Sequence, residues 1–316
     1  MSADPTQFEE PILRIRRRIE ELTAAEAGTA TETEIAELRQ KLTKVSNEIY
    51  SNLTPWQKTL VARHPQRPYT LDFISMMIEE WQEIAGDRKF GDDPAVVSGF
   101  GRFRGIPCCV VGHQKGRNTK EKVLRNFGQP RPEGFRKALR VMKLAEKFHL
   151  PVLSFIDTQG AYPGVGAEER GQAEAIAVNL REMAALTVPI IITVIGEGGS
   201  GGALALGVGD RVLMLEHAVY SVISPEGCAA ILWKNSSAAP DAAAAMKITA
   251  QDLKKLNIID EIIPEPVGGA HADPAAAAEL IGPVLERIIR ELQKLKVPAL
   301  LDERYKKFRK MGVFEK

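Results

Sequence analysis

A chain of 316 residues with 44% hydrophobic and 26% charged side chains is long enough to bury one large core with appendages. Its formal net charge of +1 argues against wholesale nucleic-acid binding, and no apolar run approaches the ~20 residues of a membrane span. Three cysteines, two of them adjacent at Cys108 and Cys109, make neither a disulfide framework nor a metal knuckle, so the chain reads as cytoplasmic with no metal of its own.

Residues 1–5 lead into no basic and apolar segment, and no secretory leader is expected. Residues 8–53 differ in character from the rest of the chain. Ile12, Ile15, Ile19 and Leu22 recur at helical spacing, and after a polar break at Gly28 so do Ile35, Leu38, Leu42, Val45 and Ile49. That periodicity predicts a hairpin of two amphipathic helices, the second opened by a capping box over residues 31–34. The stripe is narrow enough to serve either packing on the chain's own core or an arm for a partner subunit. Residues 64–69, His-Pro-Gln-Arg-Pro-Tyr, read as a connector, and residues 71–85 as a helix. Strands over 95–100 and 106–112, turned at Arg104-Gly105, make a β-hairpin. The stretch 112–128 carries Lys115, Arg117, Lys120, Lys122 and Arg125 against one acid, Glu121. Such a loop attracts anions, and Lys115 and Arg117 are candidates for substrate phosphates.

A helix is expected over 132–148. A strand over 150–156 then delivers a Gly/Pro loop, Asp-Thr-Gln-Gly-Ala-Tyr-Pro-Gly-Val-Gly at 157–166, to a helix over 167–186 whose first turn holds Glu168 and Glu169. A second unit of this kind occupies 188–209: an apolar β-branched run, five glycines within 196–202, and a short Ala/Leu stretch. Strands over 211–215 and 220–223 come next, then a helix signalled by Ser224-Pro225 and a terminal helix over 274–295 with a kink at Gly282-Pro283 and a basic tail over 306–310. Two strand–loop–helix units side by side gather their loops at one end of an α/β sheet, where ligands bind. The chain divides into a hairpin and connector (1–70), a core (71–265) and a helical extension (266–316).

Three readings compete for the glycine run. A Walker loop fails, because no Gly-Lys-Ser/Thr follows. A dinucleotide fingerprint matches literally: Gly196-Glu197-Gly198-Gly199-Ser200-Gly201 is GxGxxG after a strand, with Glu216 lying 20 residues beyond Gly196. Gly207 and Gly209 nevertheless cut the next helix to about two turns, short of the ~30-residue βαβ unit that such a fold needs. In the third reading the amides of Gly201, Gly202 and Ala203 form an oxyanion hole, holding charge on a reacting oxygen by backbone alone. Close helix–sheet packing would explain one or two of the five glycines. A valine at Gly202 is then expected to spare the fold. No GxSxG elbow or Ser/His/Asp set accompanies Ser200, and the five histidines show no metal-ligand spacing.

Taken together, His64–Thr70, Ala85-Gly-Asp-Arg, Gly112-His-Gln-Lys-Gly-Arg, the 157–172 loop and helix start, 196–203, Ser221-Val-Ile-Ser-Pro-Glu-Gly-Cys and the 263–271 segment resemble the carboxyltransferase α subunits of bacterial multisubunit acetyl-coenzyme A carboxylase. The resemblance covers residues 8–310, with one departure at Gln159, where the family commonly has proline. It implies a crotonase-like α/β fold of repeated ββα units and an obligatory β subunit that carries zinc, in an α2β2 heterotetramer. It also implies transfer of a carboxyl group from carboxybiotin on the biotin carboxyl carrier protein, loaded by biotin carboxylase, to acetyl-coenzyme A, giving malonyl-coenzyme A for fatty-acid synthesis. On the family's pattern the Gly201 and Gly202 amides hold the biotin ureido oxygen. The loop with Gly160, Ala161, Tyr162, Pro163, Gly164 and Gly166 lines the same crevice, beside Gly198 and Gly199. Glu168, Glu169 and Glu197 are positioning candidates. The competing function is a stand-alone crotonase-type acyl-CoA hydratase or isomerase, which needs its own acid/base carboxylates.

Overall fold

A computed structural model describes residues 7–24 and 29–312, with side chains from residue 32 onward in the second stretch. The break at Gly28 and the expectation drawn from residues 1–5 lie outside the described residues. Helices α1 (Glu10–Ala24) and α2 (Thr29–Tyr50) form the expected hairpin. The second begins before Thr31, so the anticipated capping box falls inside it. Helices α3 (Pro55–Ala62) and α4 (Thr70–Met77) then lead to three antiparallel strands, β1 (Ile78–Glu83), β2 (Val96–Phe103) and β3 (Ile106–His113). Next come α5 (Thr119–Leu124), α6 (Pro132–Lys147), β4 (Val152–Thr158), α7 (Val165–Glu169), α8 (Gln172–Ala185), β5 (Ile190–Gly199) and α9 (Ser200–Leu204). The chain continues through β6 (Arg211–Leu215), β7 (Val219–Ser221), α10 (Pro225–Leu232), α11 (Ala239–Met246), α12 (Ala250–Lys255) and β8 (Glu261–Ile263) to α13 (Pro274–Leu292) and α14 (Val297–Arg309).

One mixed sheet runs in the order β1-β2-β3-β4-β5-β6-β8, with β7 paired beside the far end of β5. Its parallel half is covered on both faces, which is why every residue of β4 and β5 is buried and why those strands read as continuous Val/Ile/Leu runs. Strands β4, β5 and β7 end at Thr158, Gly199 and Ser221, and the loops beyond them gather at one end of the sheet.

Four expectations are corrected here. The helix foreseen over 71–85 stops at Met77, because residues 78–83 add an edge strand to β2. Gly99 and Gly101 make room for it, since a Cβ on Gly99 would lie 2.1 Å from the Gln82 carbonyl and one on Gly101 would lie 2.4 Å from Ile78. The helix over 167–186 is two helices, parted where Gly171 takes a left-handed φ of +82°. The loop over 112–128 contains α5, N-capped by the Asn118 side chain. At the C-terminus Pro283 sits inside α13, and the supposed basic tail is the end of α14.

The hairpin packs on its own chain. Ile12, Tyr50, Leu53 and Val61 share a small core. Beside them the Tyr50 hydroxyl donates to Glu9 and sits 3.2 Å from His271 Nε2, while the His64 and His271 rings stack at 3.9 Å. Local spacing gave no hint of this grouping, in which ligand atoms of Glu9, His64 and His271 come within 4.8 Å of one another. With the Gln66 amide donating to His64 Nδ1, the group forms a hydrogen-bonded clamp between hairpin and core. At the other terminus Arg304 of α14 is fully buried. It grips both carboxylate oxygens of Asp210 at 2.8 Å and donates to the carbonyls of Met183, Leu186 and Val188, between α8 and β5.

Candidate active site

A cavity of about 680 Å³ opens where the loops after β4, β5 and β7 meet. One wall is the loop Gln159–Pro163, another is the first turn of α8 with Gln172 and Ile176, and a third is residues 222–226; Ser200 and Gly201 lie at its base. The loop is fixed by its backbone. The Tyr162 amide donates to the Pro130 carbonyl at 2.9 Å, and Gln172 Nε2 bridges the carbonyls of Pro130 and Tyr162, both at 2.9 Å. Arg131 stacks over the Tyr162 ring, which lies so close to Gly164 that a Cβ there would be 2.2 Å away.

The glycine run serves two purposes. Close packing explains more of it than the sequence suggested: added Cβ atoms would meet Asp157 Oδ1 at 2.4 Å from Gly196, the Tyr220 ring at 2.7 Å from Gly198 and the Gln159 carbonyl at 2.1 Å from Gly199. At Gly202 a Cβ would stand 2.4 Å from the Gly160 carbonyl carbon and 2.6 Å from the Ala161 nitrogen. The expectation that valine at Gly202 spares the fold is therefore wrong, because backbone blocks it on two sides. Only Gly201 faces open space, with Ile176 Cδ1 at 3.3 Å. Helix α9 has Gly199 as its N-cap, so the amides of Ser200, Gly201 and Gly202 precede the first intrahelical donor. Ala203 is the fourth helical residue, past the turn whose amides a helix leaves unpaired, so the candidate donors narrow to Gly201 and Gly202. With five residues, α9 also falls short of a dinucleotide-binding unit.

Of the three charged side chains lining the cavity, Arg63 and Glu226 pair with each other, whereas Glu168 makes no ion pair among the described residues. Arg63, the one cation of the lining, holds Glu197 at 2.9 and 2.7 Å and Glu226 at 2.5 Å. Burial pushes the Glu226 carboxyl up, but hydrogen bonding and the charge of Arg63 outweigh it and keep the group below the usual carboxylate range. Beneath the floor, Asp157 Oδ1 accepts from Lys115 Nζ at 2.6 Å and from the Glu197 amide at 2.9 Å. Deeper still, Arg67 and Glu265 form a fully buried bidentate pair at 2.6 and 2.9 Å. Burial raises the Glu265 carboxyl, and the adjoining guanidinium more than reverses this, to about 2.

Of the residues singled out from sequence, Gly160, Ala161, Tyr162, Pro163, Glu168 and Gly201 line the cavity, and Gly198, Gly199, Gly202 and Ala203 lie buried beneath it. Gly164 and Gly166 shape the loop from outside. Lys115 and Arg117 are elsewhere: Lys115 is tied to Asp157, and Arg117 pairs with Asp72, donates to the Pro65 and Arg67 carbonyls and stacks on Tyr69. Both basic side chains thus join motifs together and do not present charge to the cavity. Arg63, Gln129, Gln172 and Glu226 escaped the reading from sequence. Arg63 directly precedes the His-Pro-Gln-Arg-Pro-Tyr motif and Glu226 sits within the Ser-Pro-Glu-Gly motif, so the motifs were visible but not the cavity they share.

The chain's relatives agree with this geometry. Residues 5–312 match the family described as acetyl co-enzyme A carboxylase carboxyltransferase-like. The chain is 56% identical to the acetyl-coenzyme A carboxylase carboxyl transferase subunit alpha of Xanthomonas campestris, covering all of this chain and 99% of the relative. It is likewise 56% identical to the subunit of that name from Geobacter metallireducens, over 98% and 97% of the two chains. Among solved structures, a transcarboxylase 12S superposes with a TM-score of 0.54 at 22% identity, covering 69% of this chain but only 44% of the other. A Pseudomonas malonate decarboxylase hetero-tetramer gives 0.57 at 16% identity, over 68% and 86%. The fold is the crotonase-like one of the carboxyltransferases, and nothing among the relatives supports a stand-alone hydratase. With one cavity built from the loops that carry its motifs, and a match that spans almost the whole sequence, the chain belongs to the acetyl co-enzyme A carboxylase carboxyltransferase-like family.

Proposed function

We propose that the cavity receives the ureido ring of biotin, carried as carboxybiotin on a carrier protein, and that this chain is the α half of a carboxyltransferase making malonyl-coenzyme A. The observation that supports this most is the character of the donors. The lining cation is neutralised by two carboxylates, which leaves Gln side chains, the Glu168 carboxylate and the backbone at the start of α9 to meet a ligand. Such a site suits a neutral bicyclic ring whose oxygen gains charge only during reaction. Breaking the N–C bond of carboxybiotin releases carbon dioxide and leaves an electron pair on the ureido group. That group takes a proton from the methyl carbon of acetyl-coenzyme A, and the resulting enolate carbon bonds to carbon dioxide. Biotin itself is thus the base, and no protein nucleophile is needed.

The acyl-coenzyme A is expected to sit mainly on a partner β subunit, which also carries the zinc. Cys108 and Cys109 of this chain are buried in β3, and burial pushes the Cys108 thiol up to about 12. An α2β2 assembly served by biotin carboxylase and its biotin carboxyl carrier protein completes the reading. No helix among the described residues is long and apolar enough to cross a membrane. The test is to mix the purified chain with a carboxyltransferase β subunit and follow decarboxylation of malonyl-coenzyme A onto biotin. Activity requiring both chains supports the proposal, and turnover by this chain alone refutes it.

A further inference from the structure

We infer that His113 is a positioning residue that ties the first turn of α9 to the end of β4 and so keeps the Gly201 and Gly202 amides aimed at the cavity. The inference rests on the oxyanion role proposed above. Helix α9 cannot hold its own geometry: it has five residues, two of its first three are glycine, and an isolated turn of that kind is unstable. Its hydrogen bonding is also incomplete. Ala205 donates to the Gly201 carbonyl at 3.0 Å, but Leu206, the next donor in line, turns to the Ala203 carbonyl at 3.2 Å. The Gly202 carbonyl is left to His113 Nε2, 3.2 Å away.

The other ring nitrogen fixes the proton. The ring has two carbonyls to donate to, Gly202 and Phe155, and one amide to accept from, Asp157, 3.3 Å from Nδ1; with the Nδ1 lone pair turned to that amide, Nε2 carries the hydrogen that Gly202 receives. Burial at the end of β3 pushes the imidazole down to about 4, which keeps it neutral, and Thr70 Oγ1 donates to the His113 carbonyl at 2.5 Å. One rigid neutral ring therefore spans the two segments whose separation sets the oxyanion site: the end of β4, from which the Gln159–Pro163 loop leaves, and the first turn of α9. A flexible side chain could satisfy one partner, but it would not hold the distance between both.

Three measurements test this. Long-range ¹⁵N–¹H correlations on the wild-type chain at pH 7 should show His113 as the neutral Nε2–H tautomer. In the complex with a β subunit, His113→Met removes the donor and should lower kcat by about 10- to 100-fold with little change in KM for malonyl-coenzyme A. His113→Gln, which restores a donor near the Nε2 position, should recover most of that loss. An Nδ1–H tautomer, a Met variant with wild-type kcat, or Gln and Met variants equally slow at equal thermal midpoint would each overturn the positioning role. A wild-type complex without carboxyl transfer would instead sink the functional reading and leave the tautomer result standing.

Discussion

Replacing Gly202 by alanine and, separately, Gly201 by alanine distinguishes the two uses of the glycine run. A Cβ at Gly202 would start 2.4 Å from the Gly160 carbonyl carbon. Ordinary contact begins near 3.4 Å, so the Gly160–Ala161 peptide or α9 must move by about 1 Å. Forced repacking of that kind costs about 1–3 kcal/mol, which corresponds to a midpoint lowered by about 1.5–5 °C in a chain of 316 residues. A displacement of about 1 Å in a catalytic framework costs ~10²-fold, and loss of one oxyanion donor costs ~10²–10³-fold in turnover. Gly201→Ala meets only the flexible end of Ile176 at 3.3 Å. It should keep its stability within about 1 kcal/mol of wild type, since alanine is the better helix former, while crowding the cavity and raising KM for the biotin substrate. The assay is malonyl-coenzyme A decarboxylation by the reconstituted complex, with thermal midpoints taken on the same samples. If Gly202→Ala turns over at the wild-type rate, the oxyanion argument is wrong, whatever its midpoint.

Arg67→Met strands the buried Glu265 carboxylate and should destabilise the chain by about 3–5 kcal/mol, measured by denaturant unfolding; a loss under about 1 kcal/mol would mean that water reaches the pair. Acid should act in two windows. His113 stays neutral down to about 4 in the fold but takes up a proton near 6.5 when unfolded, so stability falls by up to about 3 kcal/mol between pH 6.5 and 4. Glu265 is held at about 2 against an unfolded value near 4.5, so its contribution is complete above 4.5 and is lost as pH falls towards 2. Unfolding free energies of wild type and His113→Met across pH 4–7 check the first window: the variant should show a shallower fall, the remainder coming from His64 and His217, which burial also holds below the ordinary histidine value. Ser200, at the base of the cavity, has a left-handed φ of +51°; Ser200→Gly should therefore raise stability by up to about 1 kcal/mol, and an unchanged or lower thermal midpoint contradicts that strain.

Much of the site was legible because its residues are local signals. Ser224-Pro225 caps and opens α10 as anticipated, with the Ser224 hydroxyl accepting from the Gly227 amide, and β6 spans the expected 211–215. What stayed hidden depends on residues far apart in sequence. The local pattern of 78–83 suits a helix as well as a strand, and the choice is made by the room that Gly99 and Gly101 leave on β2. The cations of the 112–128 loop looked free because Asp157 and Asp72, their partners, lie 42 and 45 residues away. All but one or two of the five glycines looked like a ligand cradle, whereas contacts with Asp157, Gln159, Gly160 and Tyr220 show that most of them admit neighbouring protein.

The buried guanidinium of Arg304 bears on the order in which the chain is made. It supplies the donors for the Met183, Leu186 and Val188 carbonyls and neutralises Asp210, groups synthesised some 94 to 121 residues earlier. Until α14 leaves the ribosome, those carbonyls and that carboxylate must stay hydrated, and the entry to β5 cannot close. The strand that leads into the candidate donors of α9 is therefore sealed only when synthesis is almost complete. Chains cut short before residue 304 should be recognised by cellular proteases as unfinished, so that incomplete subunits are removed before they can compete for a partner.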